Sequence, residues 1–311
     1  MNGPMAAVSV AVSVMVTGPA AGVGLPPIPW SDIVNFDDYA ELLPLVRYSL
    51  LAGLVLGLTA GLLSVFVMMR DLPFAVHGIS ELSFAGASGA LLIGADVATG
   101  SLMGSVAAAV VIGALGVRAR DRNSIIGVVM PFGLGLGVLF LALYHGRSAN
   151  KFGLLTGQIV AVDDPQLTFL LATCVVVVAG LLLIWRPLTF ASVDPHVAAA
   201  RGVPVGALSL GFMVLVALVV ALSVQVVGAL LVLSLICTPG AAAVRVTRSP
   251  LRAVALSAVF GAVSVLGGIL LSLGSRVPIS PYVTTLSFLI YLACRIVGGR
   301  RGRGTATPAP A

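Results

Sequence analysis

The sequence predicts an all-α, polytopic membrane bundle of about eight or nine transmembrane helices, and three observations predict it. Of 311 residues, 59% are hydrophobic and 9% charged, whereas soluble domains carry about 25% charged residues to cover a water-facing surface. The apolar runs reach the roughly 20 residues that a helix needs to cross a bilayer. The period-two alternation of a membrane β-barrel, in segments of about ten residues, is absent.

Nine apolar segments follow in order, at 44–69, 75–95, 99–117, 124–144, 166–185, 205–223, 225–244, 252–274 and 279–297. Most joints carry Gly, Pro or charge, which break a membrane helix or draw it into water. DLP closes the first segment, ADVATG separates the second from the third, and RARDRN follows the third. DDP opens the fifth and WRP closes it; TRSP and SRVPISP precede the eighth and ninth. The many Gly, Ala and Ser residues suit close helix packing in lipid. Cys174, Cys237 and Cys294 all fall inside apolar segments and read as buried small hydrophobes, not as a disulfide or thiolate metal framework.

Loop charge sets the orientation. With the first segment running inward, 13 of the 17 Lys and Arg residues face the cytoplasm, leaving Arg47, Arg147, Lys151 and Arg276 outside. The net charge of +6 is thus the mark of a cytoplasmic membrane face, and nucleic acid is not an expected partner. Residues 1–43 read as an outer tail or leader, 44–298 as the membrane domain, and 299–311 as a basic, disordered cytoplasmic tail.

Ionisable residues are scarce, so those near apolar segments stand out. His77 and Glu81 lie four apart, on one helical face with their Cβ atoms close. Glu81 sits about four helical turns from Asp96 at the outer end of its segment, well inside the bilayer by the helical rise. A carboxylate at that depth needs a partner or a water-filled path. Two readings stand: a Glu–His pair pinning one helix to its neighbour, or a pair handling a metal ion or proton.

A second feature is the polar stretch FASVDPHVAAARGVPVGALS, residues 190–209. Asp194 suits an N-cap and Pro195 the first helical turn, while Gly202 and Pro204 supply a stop. This predicts a helix of about two turns on the cytoplasmic side, either a connector or a docking element. Third, Asp163 and Asp164 beside Pro165 either cap the next helix or attract cations outside. His145 and His196 read as solvated loop histidines. No GxxxxGK[ST] loop, HExxH or CxxC occurs; any ATP hydrolysis belongs to another chain.

In order and spacing, GLVLGLTAGLLSVFVMMRDLPF, LLTGQIVAV, DPHVAAARGVPV and VVGALLVLSLICTPGAAA resemble the membrane permease subunits of bacterial ABC importers for zinc, manganese and related metals. The likeness covers most of 44–298. It implies a bundle pairing with a second copy or close homologue, a path between the protomers, and an external binding protein that delivers the ion. It also implies two cytoplasmic ATPase subunits gripping a short coupling helix, which 194–202 matches through Asp194, His196, Arg201 and Gly202. The transported Zn, Mn or Fe ion would be cargo, with no resident cofactor, and the location would be the bacterial cytoplasmic membrane. One departure is clear. The family usually carries Gly-Asp-x-x-x-His where this chain has Val76-His77-Gly78-Ile79-Ser80-Glu81, so carboxylate and imidazole are exchanged. The resemblance favours His77 and Glu81 as metal ligands; mixed N and O donors do not separate the candidate metals. The rival expectations are an iron-chelate or vitamin ABC permease and an ion-coupled secondary transporter, which should show matched halves with broken spans.

Overall fold

The computed structural model describes residues 39–115, 119–146, 153–155, 157, 164–229, 232–247, 249–273, 275 and 277–303. Eleven helices order the described residues: α1 Tyr39–Leu42, α2 Arg47–Met69, α3 Pro73–Ile93, α4 Val97–Leu115, α5 Ala119–Leu143, α6 Asp164–Val193, α7 Pro195–Ala200, α8 Val205–Val226, α9 Val232–Val246, α10 Pro250–Ser272 and α11 Ile279–Arg303. Eight of them are long and apolar enough to cross a membrane. The chain is a multi-pass helical membrane bundle. We call the end that carries α7 the inner end.

Helix α2 is the axis. Gly53, Gly57 and Gly61 form a smooth strip along it, against which α10 runs antiparallel at Ile269, Gly261 and Ser257 in turn. A Cβ on Gly61 would lie 2.5 Å from the Ser257 carbonyl oxygen and 2.6 Å from the Ala258 Cα, so the two backbones are in contact. The Ser257 hydroxyl donates to the Gly61 carbonyl at 2.7 Å. In lipid there is no hydrophobic force between helices, so close backbone packing and such hydrogen bonds hold the seam. The same device joins α3 to α4, where Gly86 meets Gly100 and Gly104. Ser83 and Ser101 pair across that seam at 2.8 Å, and Ser101 also reaches the Ala221 carbonyl of α8 at 3.1 Å.

Three boundaries differ from the sequence expectation. The joint expected at Trp185-Arg186-Pro187 does not exist, because α6 continues through Pro187 to Val193. Proline deletes one N–H, here the helical donor to the Leu183 carbonyl, a loss that membrane helices tolerate. The Thr189 and Ser192 hydroxyls beyond it bond one turn back, to the Trp185 and Leu188 carbonyls at 2.8 and 2.6 Å. Helix α6 therefore holds 30 residues, about 45 Å at the usual rise.

The span expected at 225–244 is the second difference. It is reduced to α9, which has 15 residues and measures about 22 Å, less than the roughly 30 Å hydrocarbon layer. The chain leaves helix geometry at Val227–Ala229, with Gly228 at φ 92°, a region that glycine enters without strain. Irregular backbone at membrane depth survives only when buried in protein. Here Ser280 donates to the Val227 carbonyl at 2.5 Å and Ser80 to the Ala229 carbonyl at 3.1 Å. Residues 153–155 and Gly157 close over the same break: a Cβ on Gly228 would lie 2.4 Å from the Leu155 carbonyl oxygen and 2.6 Å from the Gly157 amide nitrogen.

Third, the tail expected to be disordered from 299 is helical as far as Arg303. Arginine is a good helix former and favours a helix C-terminus. The expected outer tail lies outside the described residues at 1–38, as does 304–311. Cys174, Cys237 and Cys294 are buried and free.

Candidate functional site

Helix α3 starts abruptly. Asp71 takes a positive φ of 53°, the Leu72 amide donates back to the Val67 carbonyl at 3.0 Å, and Pro73 opens the helix at a position where its missing N–H costs nothing. Gly94 ends it in the left-handed conformation. Asp96 then caps α4 by accepting from the Thr99 amide at 2.9 Å. The segment is thereby pinned at both ends.

Within α3 the structure brings His77 and Glu81 together. His77 Nε2 lies 3.8 Å from Glu81 Oε1, with the side chains 29% and 6% exposed. That separation is too long for a hydrogen bond, which weakens the reading of a pair locked together as a strut. It is close to the about 3.4 Å that separates two donors sharing a tetrahedral ion at ordinary metal–ligand distances. The deeper position belongs to the carboxylate, and the imidazole sits nearer the inner end.

The main chain around Glu81 is closely packed. A Cβ on Gly133 of α5 would lie 3.0 Å from the Glu81 carbonyl carbon, so α5 lies directly against α3 at this level. Ser80, the preceding residue, holds the Ala229 carbonyl of the α8–α9 break. The irregular backbone at 227–229 is therefore tied to α3 one residue before Glu81. Sequence reasoning missed Ser80 and this break; the signal available was Gly228 in an uninterrupted apolar run. Among the described residues, no group of three or more His, Cys, Asp or Glu side chains could hold a metal ion.

The stretch after α6 forms α7, at the bounds the sequence predicts to within two residues. Asp194 Oδ1 accepts from the His196 and Val197 amides, each at 3.0 Å. Arg201 closes the helix with its amide on the Val197 and Ala198 carbonyls, and Gly202 turns the chain at φ 81°. Ala198 is fully buried against the bundle, while His196, Val197, Ala199, Ala200 and Arg201 face outward. The element is anchored by one alanine and presents the rest.

At the other end Asp164 is exposed in the first turn of α6, where a carboxylate complements the helix dipole; Asp163 lies outside the described residues. His145 is exposed, far along the chain from the pair.

Comparison with known proteins bears on most of the chain. The model of the ABC 3 transport family matches residues 43–298. The manganese transport system membrane protein MntC of Halalkalibacterium halodurans is 28% identical over 243 residues, 78% of this chain and 83% of that protein. The high-affinity zinc uptake system membrane protein ZnuB of Haemophilus influenzae is 25% identical over 245 residues, 78% of this chain and 94% of that protein. Among solved structures, PsaBC from Streptococcus pneumoniae in complex with Fab matches with a TM-score of 0.74 at 24% identity, covering 82% of this chain and 95% of that one. The last likeness concerns the fold.

Proposed function

The chain belongs to the ABC 3 transport family, and from that premise we propose that it is the permease of an ATP-driven importer for a divalent transition metal ion, zinc, manganese or iron, in the bacterial cytoplasmic membrane. The observation that carries this reading is the His77–Glu81 pair on α3: a buried carboxylate and a more open imidazole, 3.8 Å apart, beside broken backbone at membrane depth. The names of the manganese and zinc relatives support the choice of cargo.

In this mechanism a binding protein docks outside and releases the ion between two permease copies. The ion pauses at Glu81 and His77 and leaves inward when the bundle changes its open side. Two ligands per chain suit transit, because a complete tetrahedral set holds zinc for structure. Relative to the family order, an ion arriving from outside here meets carboxylate before imidazole. Two cytoplasmic ATPase subunits would drive the cycle by gripping α7, whose outward residues form the contact. Movement through α7 then reaches the bundle as a rigid-body rotation. An ion-coupled secondary transporter would not belong to this family, and an organic chelate would have no need of the pair.

Uptake of radioactive manganese, zinc and iron by metal-depleted cells, with and without the chain, tests the proposal. Loss of at least one metal's uptake in the deletion strain is the expected result; equal uptake of all three would end it. A second expected result concerns α7. Arg201→Glu lowers co-purification of the partner ATPase about tenfold, equivalent to about 1.4 kcal/mol; unchanged recovery would remove Arg201 from the joint.

A further inference from the structure

We propose that Arg70 is the positioning residue that ties the coupling element α7 to the ion-handling helix α3. The inference rests on the transport reading above and names the part that carries force between its two ends.

By charge alone Arg70 is one of the 13 basic residues of the inner face. Its surroundings separate it from the other arginines of that face whose side chains are among the described residues. Arg186, Arg201, Arg245, Arg252 and Arg295 are exposed, whereas Arg70 is half-buried. It ends α2, and its guanidinium reaches two hydroxyls on two other helices. Nη1 meets Ser192 Oγ of α6 at 3.5 Å, and Nη2 donates to Ser209 Oγ of α8. Ser192 stands two residues before Asp194, and Ser209 five residues after Pro204. One planar group therefore holds both chain segments that enter and leave α7.

The seat beneath it is rigid. The guanidinium lies 5.9 Å from the centroid of Phe212, within cation–π range. Phe66 packs edge-on to Trp185 at 5.2 Å and to Phe212 at 6.1 Å, an arrangement that aromatic quadrupoles favour. The inner ends of α2, α6 and α8 are thus fastened as one block around Arg70.

The other end of the link is covalent. Asp71 and Leu72 make the tight turn already described, and Pro73 begins α3. His77 lies seven residues after Arg70, within the first two turns of that helix. A displacement of α7 that drags Ser192 and Ser209 must move Arg70, and Arg70 moves the start of α3. Snorkelling to an anionic membrane surface would account for a basic residue here, but not for a fork shared between two serines over an aromatic seat. Lysine, with a compact point charge in place of the fork, cannot reproduce the contact set.

The test uses the permease assembled with its ATPase subunits in proteoliposomes, with Mn²⁺ as the probe. It reads ions moved per ATP hydrolysed. Arg70→Met is expected to lower that ratio about tenfold, while hydrolysis stays within about twofold of the parent. Ser192→Ala combined with Ser209→Ala gives the same direction, and Arg70→Lys restores the ratio only in part. A wild-type ratio in the double serine variant overturns the proposal, as does a parallel fall of uptake and hydrolysis in Arg70→Met. Should Arg70→Met fail to assemble, the double serine variant decides. A second readout is independent of ion movement: thiol labelling at Phe74→Cys, exposed in the first turn of α3. Its labelling rate is expected to change with nucleotide in the parent background and to lose that response without Arg70. A parent complex that moves no ion but shows this response counts against the cargo assignment alone; a response that survives Arg70→Met overturns the link.

Discussion

Glu81→Ala is expected to lower metal uptake at limiting ion about 100-fold, the consequence of removing about 2.7 kcal/mol of ion stabilisation. The carboxylate is the more buried member of the pair. Glu81→Gln separates charge from shape: it keeps the volume and one acceptor oxygen but cannot neutralise a dication, so most of the loss should persist. His77→Ala should also abolish net uptake, because one carboxylate oxygen set alone cannot pass the ion on. The complex must still reach the membrane in each variant, which detergent extraction and size-exclusion chromatography check. Normal uptake by both Glu81→Ala and His77→Ala would remove the pair from the pathway.

The second large effect concerns the α2–α10 seam. Gly61→Val is expected to destabilise the bundle by about 3 kcal/mol or more, the upper range for forcing extra methyl groups into a packed site. The atoms in the way are the Ser257 carbonyl oxygen and the Ala258 Cα, which are backbone and cannot rotate aside. Separating the helices also breaks the Ser257–Gly61 hydrogen bond. Gly211→Ala is the control: nothing lies within 4 Å of its added Cβ, and alanine gains helix propensity over glycine. Thermal unfolding in detergent should show a clear drop for the first and none for the second. Equal melting of both would mean that the seam contributes little.

Much of this was legible in the sequence for local reasons. His77 and Glu81 share a face because helical spacing demands it, and Asp194-Pro195 to Gly202 carries its own start and stop. What could not be read depends on partners distant in the chain. Pro187 looks like a terminator by local rules, yet α6 passes through it with hydroxyls bonded back along the helix. The 225–244 run has the hydropathy of a span, and hydropathy is blind to Gly228 entering a positive φ with Ser80 and Ser280 supplying donors from elsewhere. Arg70 carried one visible property, its charge; its role lies in Ser192 and Ser209, more than a hundred residues away. Asp163 and the terminal segments lie outside the described residues.

Helix α6 connects the exposed Asp164 at one surface to Asp194 at the other in a single rod. A rod of that kind has no private end. If a delivery protein seated outside alters how tightly nucleotide is held inside, thermodynamic reciprocity requires nucleotide to alter the outer seat by the same factor. An importer so built would release its empty carrier in step with its fuel.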